Sequence, residues 1–223
     1  MFRLNIEFLG HSCFLIQADS HIVLTDPFLT GNPSAATKPE DVRPTHILVS
    51  HAHDDHMGDA KAIAKANGAT VYSTFDICQS FQEEGIAIEG GNIGGKLPAD
   101  FGSVKLVPAI HSSGLPGGIA CGFVIEIAGK KIYFAGDTAL FVDMALLAGE
   151  NIDIAMLPIG DYFTMGPGDA AEAVKLIKPQ HVIPMHYNTF PPIAQDPQKF
   201  KKLVESKSDA RVTVLQPGDE ASF

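Results

Sequence analysis

The chain has 223 residues, 45% of them hydrophobic and 19% charged, with a formal net charge of -10 at pH 7. That is enough apolar material for a substantial core in a single domain over residues 1–223, and no apolar stretch approaches a membrane span. No Lys/Arg cluster exceeds two consecutive residues, so a surface that tracks phosphates is not evident and no nucleic-acid partner is expected.

In chain order, Met1-Phe2-Arg3-Leu4-Asn5-Ile6-Glu7 reads as strand-like and lacks the charged head and long apolar middle of a signal peptide. The three cysteines are an odd number without metal-finger spacing. Both observations favour a reducing, cytoplasmic setting, with Cys13, Cys78 and Cys121 as packed free thiols. Apolar runs predict strands over residues 3–9, 12–18, 21–25, 46–50, 70–73, 104–110, 121–128, 131–136, 153–157, 181–185 and 211–215. Helical spacing and stop signals predict helices over 58–67, 75–84, 139–148, 168–178 and 196–206. The pattern by itself gives an α/β fold, and no internal repeat in the letters is strong enough to argue duplication.

One hexad carries chemistry. His51-Ala52-His53-Asp54-Asp55-His56 packs four metal-capable groups into six positions, on the turn between an apolar strand and a short Ala/Lys helix. In an extended stretch, side chains at i and i+2 share a face, so His51 and His53 can serve one ion while Asp55 and His56, past the bend, serve another. Imidazole and carboxylate in this mixture suit zinc first, and iron or manganese next. The same syntax recurs downstream: strands run into His111, Asp137 and His186. One such residue is ordinarily a cap or turn, but several from the ends of one scaffold are what a rigidly aimed site needs.

Order and spacing of these residues resemble the metallo-β-lactamase superfamily over nearly the whole chain. The segments Gly10-His11-Ser12, Thr25-Asp26-Pro27, Leu157-Pro158-Ile159-Gly160-Asp161 and His186-Tyr187-Asn188-Thr189 resemble its branch of short prokaryotic uncharacterised metal-dependent hydrolases, related to ascorbate-6-phosphate lactonase. The resemblance implies a four-layer αββα sandwich with the metal site at the sheet edges. It also implies two divalent metal ions, one on His51, His53 and His111, the other on Asp55, His56 and His186, with Asp137 bridging and Asp55 and Asp137 acting in catalysis. The implied activity is hydrolysis of an ester-type bond, such as a phosphodiester or lactone, in a small-molecule substrate by a metal-bridged water or hydroxide.

His11, Asp26, Asp161 and Asn188 are expected to orient a metal histidine, touch substrate or form turns. His21, His46 and His181 begin strands and are read as structural. Loops 27–39, 112–118, 161–168 and 187–197 are expected over the metals, with Phe28, Phe163, Met165, Tyr187 and Phe190 as pocket walls. Another reading is a mononuclear iron oxygenase acting on a thiol-type substrate; a diiron oxygen reductase is disfavoured because His53 stands where those enzymes carry a carboxylate. The sequence leaves a homo-oligomer open.

Overall fold

Successive side chains along a strand face opposite sides of a sheet, and here that alternation builds two separate apolar layers. The structure is a computed structural model and describes residues 4–223; Met1, Phe2 and Arg3, including the expected strand start at residue 3, lie outside the described residues. Val23, Leu48 and Tyr72 join a cluster with Phe123, Ile125 and Phe134 from the other half of the chain. Their neighbours Leu24, Ile47 and Val71 instead join Ile63, Ala64, Ile77 and Phe81 on helices. Strands buried on both faces read as unbroken apolar runs, which is why most of them were visible as sequence.

The first sheet comprises β1 (Leu4–Gly10), β2 (Cys13–Ala18), β3 (His21–Thr25), β4 (His46–Leu48), β5 (Thr70–Thr74) and β6 (Ile88–Gly91). The second comprises β7 (Lys96–Ala99), β8 (Gly102–Pro108), β9 (Cys121–Ile127), β10 (Lys130–Phe134), β11 (Ile154–Pro158), β12 (His181–Met185) and β13 (Arg211–Val212), while β14 (Glu220–Ser222) returns to the first. Their orders are β14-β1-β2-β3-β4-β5-β6 and β13-β12-β11-β10-β9-β8-β7. Each sheet has three antiparallel pairings followed by three parallel ones. The halves therefore repeat in pairing order although their letters do not.

Helices α1 (Asp54–Met57), α2 (Ala60–Asn67) and α3 (Phe75–Gln82) follow strands of the first sheet, and α4 (Pro167–Ile177) and α5 (Pro197–Glu205) belong to the second half. The apolar sides of α2 and α3 cover the first sheet, and Ala173, Val174, Ile177, Phe200 and Val204 of α4 and α5 pack into the other cluster. The result is the αββα sandwich. Local chemistry sets the ends: Gly68 closes α2 in the left-handed conformation, and the Asp196 side chain accepts from the Gln198 and Lys199 amides before Pro197 starts α5. Among the described residues no helix is long and apolar enough to cross a membrane.

Three expectations need correction. Residues 139–148 do not form an α-helix: 3-10 turns run over Val142–Glu150. Met144 and Leu147 are the buried pair there, and three-residue spacing matches the 3-10 repeat. The strand expected over 46–50 stops at Leu48, because the Ser50 amide donates to the Asp26 side chain rather than to a neighbouring strand. The strand over 211–215 is confined to Arg211–Val212. β6, β7 and β14 were not anticipated; all three are edge strands of four residues or fewer, β6 and β7 carry glycine or proline, and β14 is polar at both ends.

Phe123 is fully buried between the sheets. Phe123→Ala should lower unfolding stability by about 3–5 kcal/mol in denaturant melts, through lost burial and the cavity left behind.

Candidate metal centre

Backbone turns at the strand ends bring the site together. His51 follows β4, and His53, with extended backbone, is the N-cap of the one-turn helix α1, which carries Asp55 and His56. His11 leaves the β1–β2 turn at φ 59, Asp26 ends β3 at φ 35, and His186 follows β12 at φ 55. Positive φ at non-glycine residues costs about 1–3 kcal/mol each and persists only where surrounding contacts enforce it. Gly136 at φ 59 precedes Asp137, and a Cβ there would lie 2.8 Å from that of Ser50. A glycine is required for the two strand ends to approach so closely.

Asp26, fully buried, organises the first sheet's contribution. Its Oδ1 accepts the Ser50 amide at 2.7 Å, and its Oδ2 accepts the Ser50 hydroxyl at 2.6 Å and His56 Nδ1 at 2.7 Å. Because the Ser50 hydroxyl donates to Asp26, its oxygen accepts from His51 Nδ1 at 2.9 Å. Both histidines are thereby protonated at Nδ1, and Nε2 of each is turned toward the cluster. Ser50 was missed by sequence reasoning; the one available signal was a hydroxyl residue immediately before a ligand histidine.

Two groups of donors result. His51, His53 and His111 have ligand atoms within 4.8 Å of one another, with His51 Nε2 2.9 Å from His53 Nδ1. His11, Asp55, His56 and His186 form the second group. Asp137 lies between them: Oδ1 is 3.2 Å from His56 Nε2, and Oδ2 is 3.0 Å from His186 Nε2 and 3.5 Å from His111 Nε2. Sequence reasoning gave His11 no ligand position, yet its ring packs 4.1 Å from His186, Nε2 is 3.4 Å from Asp55 Oδ2, and Nδ1 is 2.8 Å from Thr189 Oγ1. Thr189, like Asn188 a loop residue able to bond a polar group, here bonds His11, while Ser112, whose Oγ is 3.3 Å from His53 Nε2, is a neighbour that the sequence did not single out.

The electrostatics are those of donors crowded out of water. Burial would raise the Asp137 carboxyl, but His56 and His186 outweigh it and hold the group well below the carboxylate range. Burial would lower His56, but Asp137 and Asp26 outweigh that and raise it well above the usual imidazole value. His51 is driven down by burial and by the adjacent His56, and burial lowers His11 to about 4 despite Asp55. Although His11, His56 and His186 stand within ion-pair distance of the Asp55 and Asp137 carboxylates, His11 Nε2, His56 Nε2, Asp137 Oδ1 and both ring nitrogens of His186 are buried without a well-formed hydrogen bond among the described residues. Unpartnered buried donors and acceptors on this scale are costly unless a cation satisfies them, so the residues fit divalent metal.

Other expected positions lie differently. Asp161 is exposed at φ 72, its amide bonding Met165 O, and Asn188 is exposed with Oδ1 accepting the Gln195 amide. Both shape loops. Met165 and Tyr187 are buried in the core rather than walling a pocket. Phe28 and Phe190 do flank the site, each with its ring 5.7 Å from that of His11, while Phe163 is exposed. All three cysteines are buried and free. A cavity of about 730 Å³ lies at the opposite ends of β12 and β13 and includes no residue of this cluster.

Residues 5–186 match the family model described as the Beta-lactamase superfamily domain. The chain is 50% identical over 220 residues to a protein of Symbiobacterium thermophilum named "UPF0173 metal-dependent hydrolase", covering 97% of this chain and 98% of that one. A protein of the same name from Thermococcus onnurineus is 51% identical over 224 residues, with 96% and 97% covered. Among solved structures, Igni18, described as a novel metallo hydrolase from Ignicoccus hospitalis, superposes with a TM-score of 0.94 at 38% identity, covering 99% of this chain and 98% of that one.

Asp26→Asn keeps the shape of the side chain while disturbing the hydrogen bonds that set both histidine tautomers. Metal affinity by calorimetry should fall about 10–100-fold with the circular dichroism spectrum unchanged, whereas Asp161→Asn should bind metal as the parent does.

Proposed function

Because the chain belongs to the metal-dependent hydrolases of the beta-lactamase superfamily, we propose that it cleaves an ester-type bond, a phosphodiester, lactone or related group, in a small molecule, using two divalent cations held on either side of Asp137. The observation that carries this reading is the cluster of unpartnered buried nitrogen and oxygen atoms around Asp137. His51, His53 and His111 would hold one cation, and Asp55, His56 and His186 the other, with His11 close enough to join the second group. Zinc suits this nitrogen-rich set first, and manganese or iron next. When bound, such cations supply Lewis acidity, acidifying water to a nucleophile at neutral pH and drawing charge from the scissile bond.

The chain's own side chains position and insulate. Asp26 and Ser50 keep Nε2 of His51 and of His56 turned inward. Asp137, held ionised by His56 and His186, supplies negative charge to both groups. Thr138 braces the rim: its Oγ1 accepts the Ile110 amide and its carbonyl accepts that of Met165, fixing the segments on either side of Asp137. No protein nucleophile is needed, and burial raises the Cys13 and Cys121 thiols well above their ordinary value and Cys78 to about 12, so none is a thiolate at neutral pH. Among the described residues no Lys or Arg pairs with a member of the cluster, which favours a substrate gripped through its reacting group over one anchored by a terminal phosphate. Donors from both sheets are needed at once, so the chain works as one catalytic domain.

The test is metal analysis of the purified protein followed by phosphodiester, phosphomonoester, lactone and thioester substrates, with oxygen uptake recorded in parallel. Hydrolysis that chelator abolishes and zinc or manganese restores is expected, without oxygen consumption; oxygen consumption with a thiol substrate and one iron per chain would refute it. His51→Ala and Asp137→Ala should each lower turnover at least about 1,000-fold, the scale of losing a charge-stabilising group, while the far-ultraviolet spectrum is retained.

A further inference from the structure

At the opposite edge of the sandwich, three side chains from separate segments converge. His21 is the first residue of β3, His46 the first of β4, and Asp100 sits in the turn joining β7 to β8 of the other sheet. Asp100 Oδ1 is 3.0 Å from His46 Nε2 and 3.3 Å from His21 Nδ1, and the three ligand atoms all lie within 4.8 Å of one another. Donors bound to one zinc at about 2.0–2.2 Å stand roughly 3–3.5 Å apart, so these separations suit a shared ion. We propose that His21, His46 and Asp100 form a second, structural metal site for a zinc-like divalent cation, which staples the two sheets together at the edge away from the catalytic cluster.

Several features separate this trio from a chance surface grouping. His46 is nearly buried, with a side-chain exposure of 8%, and its ring stands edge-on to Phe101 at 4.8 Å. Its remote nitrogen Nδ1 is 2.8 Å from Thr45 Oγ1. That contact aims Nε2 at Asp100, and a hydrogen-bonded remote nitrogen is how metal-ligating histidines are held. Burial lowers the pKa of His46 in spite of Asp100. Two imidazoles and one carboxylate match zinc, nickel or cobalt rather than calcium or magnesium, with water completing the coordination. The site also ties together what function separates: the far ends of β3 and β4 lead to Asp26 and to Ser50 and His51.

Zinc alone is the probe, added to the full chain already loaded at its catalytic cluster. Wild type should bind one further equivalent by calorimetry, and a hundredfold excess over Kd should raise the unfolding midpoint by about 5–10 °C. Asp100→Asn preserves the shape and hydrogen-bonding capacity of the side chain but removes the anionic ligand, and His21→Ala removes a half-exposed one; both should lose the extra equivalent and the zinc-dependent shift while keeping hydrolytic turnover. If the trio is only a hydrogen-bonded pin, wild type and Asp100→Asn will bind equal zinc and show no zinc-dependent difference in midpoint. That result overturns the proposal, and it leaves the reading of the catalytic cluster untouched.

Discussion

The carboxylate of Asp26 is the point on which the rest of the site depends. It accepts from the Ser50 amide, the Ser50 hydroxyl and His56 Nδ1, and through Ser50 it reaches His51. One buried group therefore ends a strand, directs a serine and fixes the protonated nitrogen of two histidines. The carboxylate sits in a low-dielectric interior where unpaired polar atoms are costly, so the hydrogen bonds it collects are also what makes its own burial tolerable.

The repeated pairing order explains how such a cluster arises from short segments. β3 and β10 hold equivalent places in their sheets, and each leads into a buried aspartate, Asp26 after one and Asp137 after the other. Loops at the same edge of both sheets face each other, and the positive φ angles of His11, Asp26 and His186 mark where the backbone curls to let side chains meet. The strain is borne by the packed sheets beneath, whose side chains in Phe14, Phe123 and Phe134 are wholly buried. Rigidity below and crowded polarity above are a general arrangement for aiming ligands.

Much of this was legible in the letters, for a physical reason. The hexad from His51 to His56 and the strand-terminal His111, Asp137 and His186 announce themselves by residue type and position, and central strands buried on both faces write themselves as apolar runs. What was hidden depends on three-dimensional closure. Ser50 and Ser112 are common residues whose importance comes from the histidines they touch, His11 reaches the second donor group only because the β1–β2 turn swings it there, and Met165 and Tyr187 point into the core. The edge strands β6, β7 and β14 are too short for an apolar pattern to stand out, and over residues 142–150 the buried pair Met144 and Leu147 has the three-residue spacing of 3-10 turns.

Each of the two donor groups around Asp137 is expected to hold a cation, and the proposed hydrolysis stands or falls on that occupancy. Anomalous diffraction from zinc-soaked crystals, collected on both sides of the zinc absorption edge, tests it most directly. Two peaks are predicted in that cluster, one contacting His51, His53 and His111, the other Asp55, His56 and His186, with Asp137 reaching both. A single peak, or side chains turned away from an ion-free cluster in saturating zinc, would contradict it.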